Sequence, residues 1–356
     1  VLFILCHLFL LDGPARDYGI LQRYAPLPSQ SNEILQLPFS MDFSSDGSLY
    51  LLDTVALRVH VWDKQGVYRF SFGQKGPGPG ELQKSAWLQL MKQQVWVWGW
   101  NRSLLKFDLH GQFLEVSRPE IRFDNFVPLG PERILATFKN HATPQQTFAS
   151  FRLTDDTGKV LETLEEIPHR AYLTPPGGKL NLIKAFGPDQ VIQPGEDGLF
   201  YYGFSQDNSL RLINSKGELV ARRRFDLPIE KPTEEEIALV KGLCYPRRTG
   251  GTRCLADANN LKFDFNQDKA FYTHFLIRGK RIAFVLTPIG GMRSGMGFRH
   301  ASFRVNDLAT GKALERGVYD FPEGSVVLHQ RGRSVAFVSD EQGDYQIQEI
   351  LLKGLE

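Results

Sequence analysis

Cysteine is scarce in this chain. Three occur in 356 residues, at Cys6, Cys244 and Cys254, and none stands in a Cys-x-x-Cys or Cys/His spacing of the kind that holds a structural metal. Charge of one sign is lacking as well. There are 42 Lys and Arg against 40 Asp and Glu, a net charge of +2. A general nucleic-acid or anionic-membrane binder would show a clear basic excess, so that class is excluded. The apolar run Val1 to Leu11, VLFILCHLFLL, is shorter than the roughly 20 residues a transmembrane helix needs. No Gly-x-Ser-x-Gly elbow occurs, which removes support for a hydrolase of that kind.

The same apolar run suits the tail of a signal peptide, and Gly13-Pro14-Ala15 supplies small residues for cleavage. Residues 1–15 therefore read as a signal-peptide remnant and residues 16–356 as one domain outside the cytoplasm (periplasm, cell surface or secreted). Two alternatives stay open: a buried strand, or a lipid anchor on Cys6. Cys244 and Cys254 bracket the turn-rich YPRRTGGTR, and an even pair in a short loop is what an oxidising compartment permits. A disulfide between them is the expectation, with two free buried thiols as the alternative.

What the chain has in quantity is aromatic residues, at 12%, with 33 Gly and 20 Pro. They fall into a recurring phrase. Leu49–Asp53, Arg58–Gly66 and Val67–Gly73 read as three short strands joined by tight turns. About forty-five residues on, Val95–Trp98, Leu104–Gly111 and Gln112–Val116 repeat the pattern. A strand-rich unit with that period is a β-propeller blade. Six units can be counted, with Asp/Asn-x-x-Gly turns at Asp63, Asp155 and Asn214, where glycine supplies the positive φ of a tight hairpin. Arg278-Gly279-Lys280-Arg281-Ile282-Ala283-Phe284-Val285 aligns with Arg331-Gly332-Arg333-Ser334-Val335-Ala336-Phe337-Val338.

The sixth unit ends after three strands, at Tyr345–Leu352, while Tyr18–Ala25 has no unit of its own. The expected fold is thus an all-β, six-bladed β-propeller, monomeric, whose ring is closed by the N-terminal strand completing the last blade. Residues 228–270 break the pattern. Thr233 with Glu236 forms a capping box, the acidic first turn suits a helix N-terminus, and Gly242 suits its stop. This helix, the cysteine loop and Leu261–Phe265 form an insertion between blades four and five.

Asp53 to Glu81 resembles the NHL-type blade, on Arg58-Val59-His60-Val61-Trp62-Asp63-Lys64-Gln65-Gly66 and on the exit Phe70 to Glu81, FSFGQKGPGPGE. The exit is similar to that of exported bacterial six-bladed β-propellers of NHL-like type. The resemblance implies a binding or scaffold protein working outside the cytoplasm. Some NHL-type relatives are enzymes with a metal in the central channel, so the alternative function is a metal-dependent lyase or lactonase.

Gln74–Glu81 lacks phosphate-loop spacing, and Pro77 and Pro79 remove two N–H donors, so it reads as a link between blades. Asp264–Asp268 begins like a calcium loop but has Lys269 where glycine is required and Phe275 where glutamate is. No cofactor is predicted, with calcium and zinc left open. His274 and His329 are the weak metal candidates, near the inner strands of blades five and six. His141, His169 and His300 fall in loops. Arg222-Arg223-Arg224 marks an outer strand edge. With Arg247, Arg248 and Arg253 it forms a candidate anion-attracting patch, and Arg293 lies in the Gly-rich loop 290–297. Trp87, Trp96, Trp98 and Trp100 cluster in blade two; Trp96, Trp98 and Trp100 alternate along one face and read as packing between blades, with glycan stacking as the alternative. Partners are a protein, a small molecule or a glycan. The recognition surface is assigned to 228–270 and 290–297.

Overall fold

A computed structural model of the chain describes residues 17–28, 34–83, 85–99, 101–121, 123–143, 146–169, 172–173, 181–184, 189–195, 197–242, 244–246, 252–254, 261–264, 268–287, 299–322, 324–340, 342 and 344–356. The described residues begin with β1 (Tyr18–Tyr24) and then make blade one from β2 (Pro38–Phe43), β3 (Leu49–Asp53), β4 (Arg58–Trp62) and β5 (Tyr68–Phe72). Blade two is β6 (Ser85–Met91), β7 (Gln94–Gly99), β8 (Leu104–Asp108) and β9 (Phe113–Ser117). Blade three is β10 (Asn125–Gly130), β11 (Arg133–Thr143), β12 (Gln146–Thr154) and β13 (Val160–His169). Two short strands follow, β14 (Tyr172–Leu173) and β15 (Asn181–Lys184).

Blade four is β16 (Gln190–Pro194), β17 (Phe200–Phe204), β18 (Ser209–Ile213) and β19 (Leu219–Arg224). The insertion holds α1 (Glu234–Gly242), β20 (Cys244–Pro246), β21 (Thr252–Cys254) and β22 (Leu261–Asp264). Blade five is β23 (His274–Arg278), β24 (Arg281–Leu286), β25 (His300–Asp307) and β26 (Ala313–Asp320). Blade six is β27 (Val326–Gln330), β28 (Arg333–Ser339) and β29 (Tyr345–Leu352), completed on its outside by β1. The expected closure is therefore what the chain does: β1 runs antiparallel to β29, Tyr18 opposite Leu352 and Tyr24 opposite Ile347.

The inner three strands of each blade alternate side chains onto two buried faces, and each face meets the next blade. Six apolar clusters fill the six blade–blade interfaces. Trp62, Trp96 and Trp98 are fully buried there, each contributing on the order of 2–3 kcal/mol by burial. Trp62 Nε1 also donates to the Ala25 carbonyl (2.8 Å), tying blade one to the end of β1. In blades one to four the turn into the outer strand is made by an Asx residue. Asp63 Oδ1 accepts from the Gln65 and Val67 amides, and Asp108, Asp155 and Asn214 repeat this. Gly111 in the blade-two turn has φ +80°, and a Cβ there would lie 2.5 Å from the Phe72 ring, so the position admits only glycine.

The Arg-Gly repeat of blades five and six sits differently from its alignment. Arg278 pairs with Arg281, so blade five turns at Gly279-Lys280; Gln330 pairs with Arg333, so blade six turns at Arg331-Gly332. The identical dipeptide is one position out of register, which places aligned residues on opposite faces. Ala283 packs toward blade six, and its structural counterpart is Val335, which packs toward blade one. Arg331 and Gly332 both have positive φ (47° and 70°).

The capping box forms as read: the Thr233 amide donates to Glu236 Oε2 (2.8 Å) and the Glu236 amide to Thr233 Oγ1 (3.2 Å). The link after blade one also forms. Glu81 accepts from the Gly78 amide and from Gln74 Nε2, both at 2.7 Å. No helix among the described residues is long and apolar enough to cross a membrane.

Candidate functional site

The six inner strands run in the same direction along a central channel. Their first residues define one mouth, here the upper, and their last residues the lower. The connections 170–189, 225–273 and 287–299 join strand ends on the upper side, because each leads into an inner strand or links the second strand of blade five to the third. Two of them are joined directly: β15 and β22 pair in parallel, Asn181 opposite Leu261 through Lys184 opposite Asp264, with β14 on the other edge of β15. The insertion between blades four and five is thus half of a unit whose other half lies between blades three and four. Sequence reading missed that half, since a four-residue strand carries no periodicity to detect.

Ser40, Gln89, Asn125, Gln190, Gln193, Thr273, His274, His329 and Gln330 line the channel, together with Phe39, Met41, Trp87 and Leu328, around a cavity of about 60 Å³. Its lower end is clasped. Gln330 Nε2 donates to Gln89 Oε1 (2.9 Å), linking blades six and two across blade one. Beside it Arg331 grips Asp42 through Nε (2.6 Å) and Nη2 (3.1 Å) and donates to the Leu90 carbonyl (2.7 Å). Asp42 is fully buried and also accepts from the Phe43 and Leu90 amides. The upper rim carries a second ion pair, Lys139 with Asp189 (3.1 Å), joining blades three and four. The Asp189 carboxylate accepts from the Gln190 amide as well.

His274 and His329 come together across blades five and six, ring centroids 5.9 Å apart. Both are held neutral. Burial lowers His274, against the opposing pull of Asp189. Burial, and then the neighbouring His274, lower His329 to about 3. Both ring nitrogens of His329 are engaged, Nε2 with the Tyr319 hydroxyl (3.0 Å) and Nδ1 with Ser334 Oγ (2.9 Å). That ring has no lone pair left for a metal without breaking one of these bonds. Among the described residues no group of three or more His, Cys, Asp or Glu is placed to hold a metal ion.

Arg253 lies on β21, while Arg247, Arg248 and Arg293 fall outside the described residues. Cys244 and Cys254 are directly opposite in the β20–β21 pair. Arg222 is exposed on the outer strand of blade four and reaches Glu165 (3.4 Å), and Arg223 donates to the Leu308 carbonyl (2.9 Å). These two belong to the rim rather than to the channel mouth. Trp96 and Trp98 are sealed between blades two and three, so neither can stack on a glycan; Trp100 lies outside the described residues. Of the three described tryptophans, Trp87 lines the channel. His300 stands 3.5 Å from Asp320 at the start of β25, and the side chains of His141 and His169 fall outside the described set.

Comparison with known proteins supports the fold. Residues 23–172 match a family model described as a 6-bladed beta-propeller. Among solved structures, a candidate exported protein from Bacteroides fragilis is 12% identical, with a TM-score of 0.58 over 96% of this chain and 97% of that one. A member of the DUF4221 family from Bacteroides vulgatus is 11% identical, with a TM-score of 0.50 over 94% and 98%. Virginiamycin B lyase from Staphylococcus aureus is 12% identical at a TM-score of 0.43, over 94% and 99%, a likeness too slight to bear on chemistry. No curated protein matches the chain's sequence. The protein is a six-bladed β-propeller.

Proposed function

We propose that this propeller is an exported binding protein whose recognition surface is the upper face over blades three to five. The observation that carries the reading is the parallel β15–β22 pair, which ties two separate insertions into one unit beside the channel mouth. Insertions of this kind carry function while the sheets beneath hold them in place. The partner is anionic. Segments 170–188, 243–267 and 288–298 contain eight Lys and Arg against two Asp, a net +6, whereas the whole chain is only +2. The remainder is therefore net −4, so positive charge is concentrated in these connections. Export accords with the Val1–Leu11 run and with the Cys244–Cys254 pair, read as a disulfide.

The test is binding of a fluorescent poly-glutamate peptide at 50 and 200 mM salt. The expected result is affinity that falls steeply with salt and drops at least tenfold in R247E/R248E/R253E. The rim variant R222E/R224E should bind as the wild type does. Equal losses in the two variants, or no binding, would overturn the reading.

A further inference from the structure

The outer strands of blades three and four differ from the rest in charge. β13 carries Glu162, Glu165 and Glu166 with no Lys or Arg, and β19 carries Arg222, Arg223 and Arg224 with no Asp or Glu. The outer strands of the other blades, β1, β5, β9 and β26, hold a single charge or a mixture of signs. An acidic strand and a basic one are therefore neighbours on the rim. Glu165 and Arg223 are spent within the protein, Glu165 on Arg211 and Arg223 on the Leu308 carbonyl. Glu162, Glu166, Arg222 and Arg224 are exposed. Glu162 and Arg224 form no ion pair among the described residues. Arg222 is 3.4 Å from Glu165, and Glu166 is 3.2 Å from Arg152. Each strand also opens with two aliphatic residues, Val160 and Leu161 on β13 and Leu219 and Val220 on β19, all between 38% and 64% exposed. Both strands are outermost in their sheets, so one backbone edge of each is open.

The two strands are matched in level. Val160 pairs with Thr154 and Leu219 with Ile213, each the last residue of its blade's third strand before the Asx turn. Glu166 pairs with Ser150 and Arg224 with Ser209, each four residues further from that turn. The aliphatic residues of both strands thus lie at one height on the rim, and Glu166 and Arg224 at another. A two-fold axis parallel to the ring axis leaves every height unchanged. Set beside the seam between blades three and four, it lays β13 of each copy against β19 of the other. Val160 and Leu161 then meet the partner's Leu219 and the partner's Val220, and Glu166 meets the partner's Arg224. The contact is made twice and closes on itself.

We propose that this protein is a two-fold dimer joined along the rims of blades three and four, the acidic strand of each copy facing the basic strand of the other. This replaces the monomer expected from the sequence. The aliphatic contact supplies attraction, and the charges fix the choice of partner and its orientation. The proposal goes beyond the binding reading above and does not depend on it, since the rim lies apart from the upper face.

Sedimentation equilibrium at 1 to 100 µM protein and 50 mM salt tests it. The wild type should have the mass of two chains. E166R and R224E each bring like charges into contact, so each should raise the dimer's Kd at least tenfold while still melting cooperatively. Mixed in equal amounts, the two variants should form a one-to-one heterodimer of near wild-type affinity. The double variant E166R/R224E should recover self-association. In both cases opposite charges face each other again, which a mere loss of fold would not allow. A wild type that stays monomeric at 100 µM, association beyond two chains, single variants that dimerise as tightly as the wild type, or a mixture that remains monomeric would overturn the proposal. Poly-glutamate binding at the upper face should be the same in R224E as in the wild type, so the two readings fail separately.

Discussion

Acidification should loosen this propeller through one imidazole. His329 is a neutral ring in the folded protein, lowered to about 3 first by burial and then by His274. In the unfolded chain it titrates near 6.5. Between those values the unfolded state binds a proton that the native state does not, so stability rises with pH in that window. The contribution is fully present above about pH 6.5 and is lost progressively as pH falls toward 3. Each pH unit inside the window is worth about 1.4 kcal/mol, so the step from 6.5 to 5 removes about 2 kcal/mol. His274, lowered in the same direction, adds to this. For a chain of 356 residues, 2 kcal/mol corresponds to a fall of about 3 °C in Tm.

The assay is calorimetric Tm at pH 7.5, 6.5, 5.5 and 5.0. The range stops at 5 because Asp46, Asp155 and Asp307, each held below its ordinary value by hydrogen bonds from its own turn, destabilise in the same direction at lower pH. The control is His329→Gln, which cannot titrate. It should be less stable at pH 7.5 by about 1–2 kcal/mol, since the bonds to Tyr319 and Ser334 are weakened. Its pH-dependent fall should be less than half that of the wild type. An H329Q variant that loses as much Tm between pH 7.5 and 5 as the parent would refute the reasoning.

Three further outcomes are expected. Deleting residues 17–28 removes β1 and exposes the outer edge of β29, so cooperative melting should drop by more than 10 °C or disappear; unchanged stability would mean the ring does not need its closure. Glu349→Ala leaves Arg333, stacked 3.5 Å above the Phe43 ring, without its carboxylate and Tyr24 without its acceptor. The loss should be about 3 kcal/mol by urea unfolding, at the low end for a buried pair because Arg333 is partly exposed. Protein purified from an oxidising compartment should have an intact mass about 2 Da below the reduced value, localised by proteolysis to Cys244 and Cys254, which face each other across β20 and β21; two alkylatable thiols would contradict the disulfide.

The fold was legible because its signals are local. Asx-x-x-Gly turns, alternating strands and the Thr233–Glu236 box each fit within a few residues, and the missing fourth strand at Tyr345–Leu352 could be matched with the spare Tyr18–Tyr24 by counting. The channel lining was not legible, because each blade contributes only one to four residues, drawn from six separate stretches of the chain. Gln89, Gln190 and Gln330 are unremarkable in their own neighbourhoods and gain meaning only as the ring closes. The Arg-Gly match misled for a physical reason: turn position, not dipeptide identity, sets register, and Asp42 and Leu90 hold Arg331 at a positive φ where glycine would be the ordinary choice. The β15–β22 pair joins residues about eighty positions apart and leaves no trace in either segment.

Closure through β1 also sets a timetable. Blades one to five are each continuous in sequence, so their hairpins can form as the chain is made. In blade six β27, β28 and β29 can pair in the same way, but the blade stays incomplete until β1 docks, and the bond between Tyr24 and Glu349 joins residues 325 apart. Of the propeller's strands β1 is made first and finds its neighbour last, and until then its backbone donors and acceptors are unpaired. The last interface to form is the one linking blade six to blade one, through Trp62 and the Ala25 carbonyl. Such non-local pairing is slow and open to mispairing with another copy. Refolding should therefore show intermediates with a three-stranded sixth blade whose docking of β1 sets the final rate, and excess free β1 peptide should trap them before the ring closes.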